Sequence, residues 1–78
     1  MTGTDPVAEA IQLALEQYFA DLEGARADGL YDMVISSVEK SMLQVVMNKA
    51  QGNQSLAAQM LGINRNTLRR KLAAYKLL

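Results

Sequence analysis

From Leu30 to Ala50 apolar residues recur at helical spacing around more of one helix than the rest of the chain could cover. Leu30, Val34, Val38, Met42, Leu43, Val46, Met47 and Ala50 keep the period, and Met33, Ile35 and Val45 widen the stripe. At about 1.5 Å per residue this is a rod of roughly 30 Å. A helix apolar over so much of its circumference is buried on several sides. The chain has 78 residues, which makes one domain at most and leaves a small interior. A second copy of the same helices is the economical cover, so the expected molecule is a homodimer.

The other helices are short or amphipathic. Asp5 then Pro6 reads as a helix start, with a capping oxygen followed by a proline whose missing N–H is not needed there. Val7, Ile11, Ala14, Leu15, Tyr18, Phe19 and Leu22 follow at helical spacing, and Gly24 supplies a stop, so the first helix is expected at about 6–23. Gly52 ends the second helix and Asn53 caps a third, with Leu56, Ala57, Ala58, Met60 and Leu61. Gly62-Ile63-Asn64 is a tight turn into a fourth helix at about 65–76. The expected fold is all-α with four helices. Residues 1–5 are read as a disordered N-terminus, 6–51 as dimerisation helices and 52–78 as a helix-turn-helix region (motif 54–73), all in one folded unit.

The net charge of zero conceals a sharp partition. Residues 1–39 hold all eight acids and one base, Arg26, for a net of −7. Residues 40–78 hold Lys40, Lys49, Arg65, Arg69, Arg70, Lys71 and Lys76 with no acid, for a net of +7. Such asymmetry points to a polyanion as partner of the basic half. The chain has no cysteine and no histidine. Thiolate metal sites are excluded, and the commonest general base and best nucleophile are missing. No metal, cofactor or enzymatic role is expected. No signal-peptide pattern or membrane-length apolar run is present, so the expected location is cytoplasmic.

Residues 54–73 have the anatomy of a helix-turn-helix. Ala58 is small where two helices cross, Gly62 suits the positive φ of a sharp turn, and Ile63 and Leu68 plug the space between them. On the last helix Leu68, Leu72 and Tyr75 fall on one side. The opposite arc holds Asn66, Thr67, Arg69, Arg70, Ala73 and Ala74. A merely solvated face interleaves glutamates with its arginines, and this one has none. Guanidinium groups grip phosphate or bridge guanine O6 and N7, while small residues let the backbone sit deep in a groove. Asn53, Ser55 and Asn64 stand at helix starts, where free N–H groups favour phosphate and where plain capping also serves.

The run Gly52-Asn53-Gln54-Ser55-Leu56-Ala57-Ala58 and then Leu61-Gly62-Ile63-Asn64-Arg65-Asn66-Thr67-Leu68-Arg69-Arg70-Lys71-Leu72 resembles the Fis family of bacterial nucleoid proteins. The C-terminal DNA-binding domain of NtrC-type activators shares that motif. Upstream, Ala14-Leu15 to Tyr18-Phe19-Ala20, Leu30-Tyr31, Val38-Glu39 and Leu43 to Val46-Met47 look like the Fis dimerisation helices, and the resemblance covers about residues 7–78. It implies an intertwined homodimer of the first two helices with a helix-turn-helix at each end. It implies binding and bending of degenerate, often AT-rich duplex DNA in the nucleoid, and regulation of transcription. The implied DNA contacts are Asn53, Ser55, Asn64, Arg65, Thr67, Arg69, Arg70 and Lys71, with Arg65 and then Asn64 as base readers. Gln51, Gly52 and Gln54 resemble a surface that touches RNA polymerase. Ala73 and Ala74 depart from the lysines of the best-known Fis sequences, which implies a weaker phosphate grip, and Ser41 departs from a proline, which implies a straighter second helix. Those sequences also have a longer N-terminal extension, so stimulation of DNA inversion is not expected.

Two other readings are weighed against this one. An isolated activator DNA-binding domain is disfavoured by the methionine start and the long acidic first helix. A helical dimerisation adaptor without DNA binding is disfavoured by the acid-free stretch 40–78.

Overall fold

The computed structural model describes residues 5–78 and contains four helices: α1 (Pro6–Leu22), α2 (Leu30–Lys49), α3 (Gln54–Leu61) and α4 (Arg65–Ala74). The expected all-α architecture is present, and no strand occurs among the described residues. Of the stretch 1–5, residues 1–4 lie outside the described residues, and Asp5 is the N-cap of α1. The described residues form two compact units, one ending at Leu30 and one spanning Tyr31–Leu78. Within the second unit the C-terminal part of α2 shares its core with α3 and α4.

In the first unit the Asp5 carboxylate accepts a hydrogen bond from the Val7 N–H at 3.0 Å, and Pro6 occupies the first turn. Those two residues fix where α1 begins. The helix ends one residue earlier than Gly24 suggested: Glu23 itself turns left-handed, and its N–H bonds the Ala20 carbonyl. No residue of α1 is buried within the single chain, and Val7, Leu13 and Phe19 are exposed.

In the second unit Leu43, Ala50, Ala57, Ala58, Leu68 and Leu72 are buried in one cluster. Val46, Met47, Leu61, Ile63, Tyr75 and Leu77 pack against it. Alanines at 57 and 58 let α3 approach α4 closely, and Leu68 and Leu72 fill the gap with no exposed surface. A buried leucine of this kind contributes about 1.5–3 kcal/mol through burial alone.

Three helices of this unit end in the same device, a left-handed residue whose flanking N–H groups reach back to otherwise unpaired carbonyls. After α2 the Gly52 N–H reaches Met47 at 3.0 Å and the Gln51 N–H reaches Asn48 at 3.1 Å. After α3 the Ile63 N–H reaches Ala58 at 3.1 Å and the Gly62 N–H reaches Gln59 at 3.2 Å. After α4 the Leu77 N–H reaches Leu72 at 2.8 Å and the Lys76 N–H reaches Ala73 at 3.0 Å. That last closure explains why α4 stops at Ala74 instead of running to 76. It also turns Leu77 back onto the cluster.

The other side of α2 is open within one chain. Tyr31, Ile35, Val38, Met42 and Val45 are all exposed, Tyr31 by 76% and Val45 by 60%. Their spacing alternates four and three residues, which keeps them in one narrow arc of the helix. This seam lies roughly a third of a turn from the face that carries Leu43 and Ala50. The helix runs unbroken through Ser41.

Gly62 has φ +73, and a Cβ built there meets nothing within 4 Å. Any penalty for a side chain is therefore backbone strain alone. Gly62→Ala is expected to destabilise by about 1 kcal/mol or somewhat more, and Gly62→Asn by less, because asparagine tolerates the left-handed region. Urea unfolding midpoints check this, and equal losses would contradict it.

Candidate nucleic-acid interface

The turn at Gly62 and the burial of Leu68 and Leu72 fix which side of α4 faces outward. Arg65, Asn66, Arg69, Arg70, Ala73 and Ala74 are exposed, and Thr67 is half-buried at the edge. No acidic side chain occurs in α4. The outward face thus presents three guanidinium groups around two alanines, a shape that admits close approach by a groove. The Arg70 guanidinium lies 3.5 Å from the Thr67 hydroxyl, a long contact that turns it along the helix.

The asparagines at the helix starts have a definite local role. The Asn53 side-chain oxygen accepts from the Leu56 N–H at 3.0 Å, and the Asn64 oxygen accepts from the Asn66 N–H at 2.7 Å. Each satisfies one of the orphan donors of a helix start. Capping uses only the amide oxygen; the –NH2 group, with two donors, is left for an acceptor on another molecule. Ser55 is exposed in the first turn of α3. Just before it, Gln51 and Gly52 are exposed with positive φ, and Gln54 is half-buried.

Lys71 stands apart from the other basic residues. Its ammonium lies 2.7 Å from Oε2 of Glu39 on α2. The Tyr75 hydroxyl donates to Oε1 of the same carboxylate at 2.6 Å. In the sequence Tyr75 reads as part of the apolar side, and Glu39 as one of eight acids within the stretch that resembles a dimerisation helix. The signal available was weak: Lys71 and Tyr75 are four apart beside the buried stripe, where polar groups need a partner, but nothing in the chain said which acid would supply it. Beside the three lies an open recess of about 290 Å³ lined also by Thr67, Arg70 and Ala74.

The Lys71 bond, then the Tyr75 bond, hold the Glu39 carboxyl below its ordinary pKa. The bond to Glu39, then burial, push the Tyr75 phenol above its ordinary value. Among the described residues no group of histidine, cysteine and acidic residues could hold a metal ion, and no helix is long and apolar enough to cross a membrane.

A lowered folded-state pKa means that the stabilisation from ionised Glu39 is complete at neutral pH and is lost as pH falls through that pKa. Glu39→Gln is close in shape but cannot ionise. The wild-type chain is expected to be more stable than Glu39→Gln near pH 7, with the difference shrinking steadily below the ordinary carboxylate range. Denaturation at a series of pH values checks this; a constant difference down to pH 3 would contradict it.

The family described as "Bacterial regulatory protein, Fis family" matches residues 34–75, which take in all but the first turn of α2 and the whole of α3 and α4. A relative named as a Fis-like DNA-binding protein in Neisseria meningitidis is 53% identical over 72 residues, covering 92% of this chain and 91% of that protein. One so named in Ralstonia nicotianae is 47% identical over 74 residues, covering 95% and 96%. A protein named DNA-binding protein Fis in Actinobacillus succinogenes is 51% identical over 70 residues, covering 90% of this chain and 71% of that protein.

Proposed function

The chain belongs to the Fis family of bacterial regulatory proteins, and on that premise we propose that it is a homodimeric, sequence-tolerant regulator that binds and bends duplex DNA in the bacterial nucleoid. The observation that carries this reading is the outward face of α4. It bears Arg65, Asn66, Arg69, Arg70, Ala73 and Ala74 without an acid, on a helix held from behind by Leu68 and Leu72. Relatives named for DNA binding support it. The family is one of regulatory proteins rather than enzymes.

Each protomer brings α4 to a major groove. Arg65 reads a base, and the –NH2 donors of Asn64 assist it. Thr67, Arg69 and Arg70 contact the backbone around it, joined by Asn53 and Ser55 from the start of α3; Lys71, which the family resemblance implies as a further contact, is paired with Glu39 in the free chain. Gln51, Gly52 and Gln54 form a separate surface offered to RNA polymerase. Pairing of two chains through α1 and the open seam of α2 is supported by the exposure of Tyr31, Ile35, Val38, Met42 and Val45. An apolar stripe of that length has no other cover within the compact unit that contains it.

Phosphate contacts reveal themselves through salt. Each one changes the slope of log affinity against log salt by about 0.9 in B-DNA, and a dimer loses two per substitution. Arg70→Ala is therefore expected to reduce the slope by about 1.8 while leaving the ranking of sites unchanged. Arg65→Ala is expected to flatten the preference between good and poor sites. Fluorescence anisotropy across a salt series checks both, and an undiminished preference in Arg65→Ala would assign that residue to phosphate.

Few groups are free to read base edges. Because the Asn64 oxygen already caps α4, that side chain meets a base chiefly through its –NH2 donors. Two short helices then specify few base pairs, and the remaining discrimination comes from DNA shape. Bending a site of this kind costs on the order of 1–6 kcal/mol, least where the minor groove is already narrow or flexible. Central base pairs beyond the reach of any side chain are expected to favour A/T over G/C. Inosine in place of guanine, which removes the 2-amino group from the minor groove, is expected to restore binding. Equal affinity for A/T and G/C centres would remove the shape component.

A further inference from the structure

Among the basic residues of α4, Lys71 is paired with an acid. Lys71 and Tyr75 lie one turn apart on the flank between the buried leucines and the outward face. Glu39 lies one turn before Leu43, the buried residue of α2. Its two oxygens are divided between the two partners, Oε2 to Lys71 and Oε1 to Tyr75. The side chains of Lys71 and Glu39 are 39% and 25% exposed, so the pair is partly shielded from the screening that weakens surface pairs. The three residues belong to one compact unit, and the bonds join helices that are 36 residues apart at Tyr75.

We infer that Glu39 is a positioning residue for DNA binding: it ties the flank of α4 to α2 through Lys71 and Tyr75, and in doing so keeps the Lys71 ammonium away from phosphate. This rests on the reading of α4 as the DNA-facing helix. The physical consequence is a division of labour along α4. Arg65, Arg69 and Arg70 point outward and meet the polyanion. Lys71 points inward and sets the tilt of the helix that carries them. A carboxylate bordering the same recess as Arg70 also lowers the positive potential along that edge. Glu39 therefore trades raw phosphate affinity for a fixed helix orientation, on which contact with a base edge depends.

Salt dependence separates this role from simple structural support. Glu39→Gln keeps the side-chain shape and an acceptor for the Tyr75 hydroxyl but releases Lys71. The slope of log affinity against log salt is expected to steepen by about 1.8 per dimer as two lysines gain phosphate. A fourfold rise in salt would then weaken the variant about twelvefold more than the wild type. Lys71→Met is expected to leave the slope unchanged while narrowing the preference between good and poor sites. An unchanged slope in Glu39→Gln, or a slope reduced by about 1.8 in Lys71→Met, would overturn the inference. Arg70→Ala run in parallel tells this failure from failure of the DNA reading, since only the latter leaves all three slopes alike. The tie is also tested without DNA: Glu39→Gln and Lys71→Met, alone and combined, are expected to be non-additive in urea unfolding, and strict additivity would overturn it whatever the DNA result.

Discussion

The outward face of α4 is defined by what holds its inward face. Leu68 and Leu72, both fully buried, lock into a cluster with Ala57 and Ala58 of α3, Leu43 of α2 and Ala50 just beyond it. Six residues make up the buried core among those described. In so small a core each member carries a large share of the stability, since a truncation such as Leu to Ala typically removes about 2–5 kcal/mol. The orientation of three arginines therefore depends on two leucines and two alanines. The closing turns after α2, α3 and α4 extend the same economy, returning Ile63 and Leu77 to the cluster while satisfying helix-end carbonyls.

The local parts of this arrangement were legible in the sequence. Asn53 and Asn64 were identifiable as helix starts because a side-chain oxygen at that position has one obvious use. Gly62 was identifiable as the turn, and the arginine face followed from counting residues around a helix. Helix ends were read less well. Gly24 and Gly52 drew attention as stops, yet Glu23 and Gln51 take the left-handed conformation beside them, and Lys76 does so after α4. A non-glycine residue accepts that strain when the hydrogen bonds it completes compensate, and those bonds are not visible in composition. The Glu39 contacts were illegible for a different reason. They join residues 32 and 36 positions apart, and any of the acids in the first half was an equal candidate until the packing of α2 on α4 chose one.

Glu39 also changes the meaning of the charge partition. The acid-free stretch 40–78 suggested seven positive charges facing a polyanion. The last acid before that stretch lies in the same compact unit and engages one of them. The basic half is thus a graded surface, with arginines outermost and a neutralised lysine behind.

The proposed function joins two surfaces: the exposed apolar seam of α2, proposed to pair chains, and the arginine face of α4, proposed to meet DNA. Neither is sufficient alone, because one short helix specifies few base pairs and a paired seam without the arginines has no polyanion to meet. The number of chains on a single-site duplex tests that join most directly. Sedimentation equilibrium of the protein with a short labelled duplex, followed from low to full occupancy, is expected to show two chains per duplex throughout, with no one-chain complex. A saturated complex containing one chain would contradict the account.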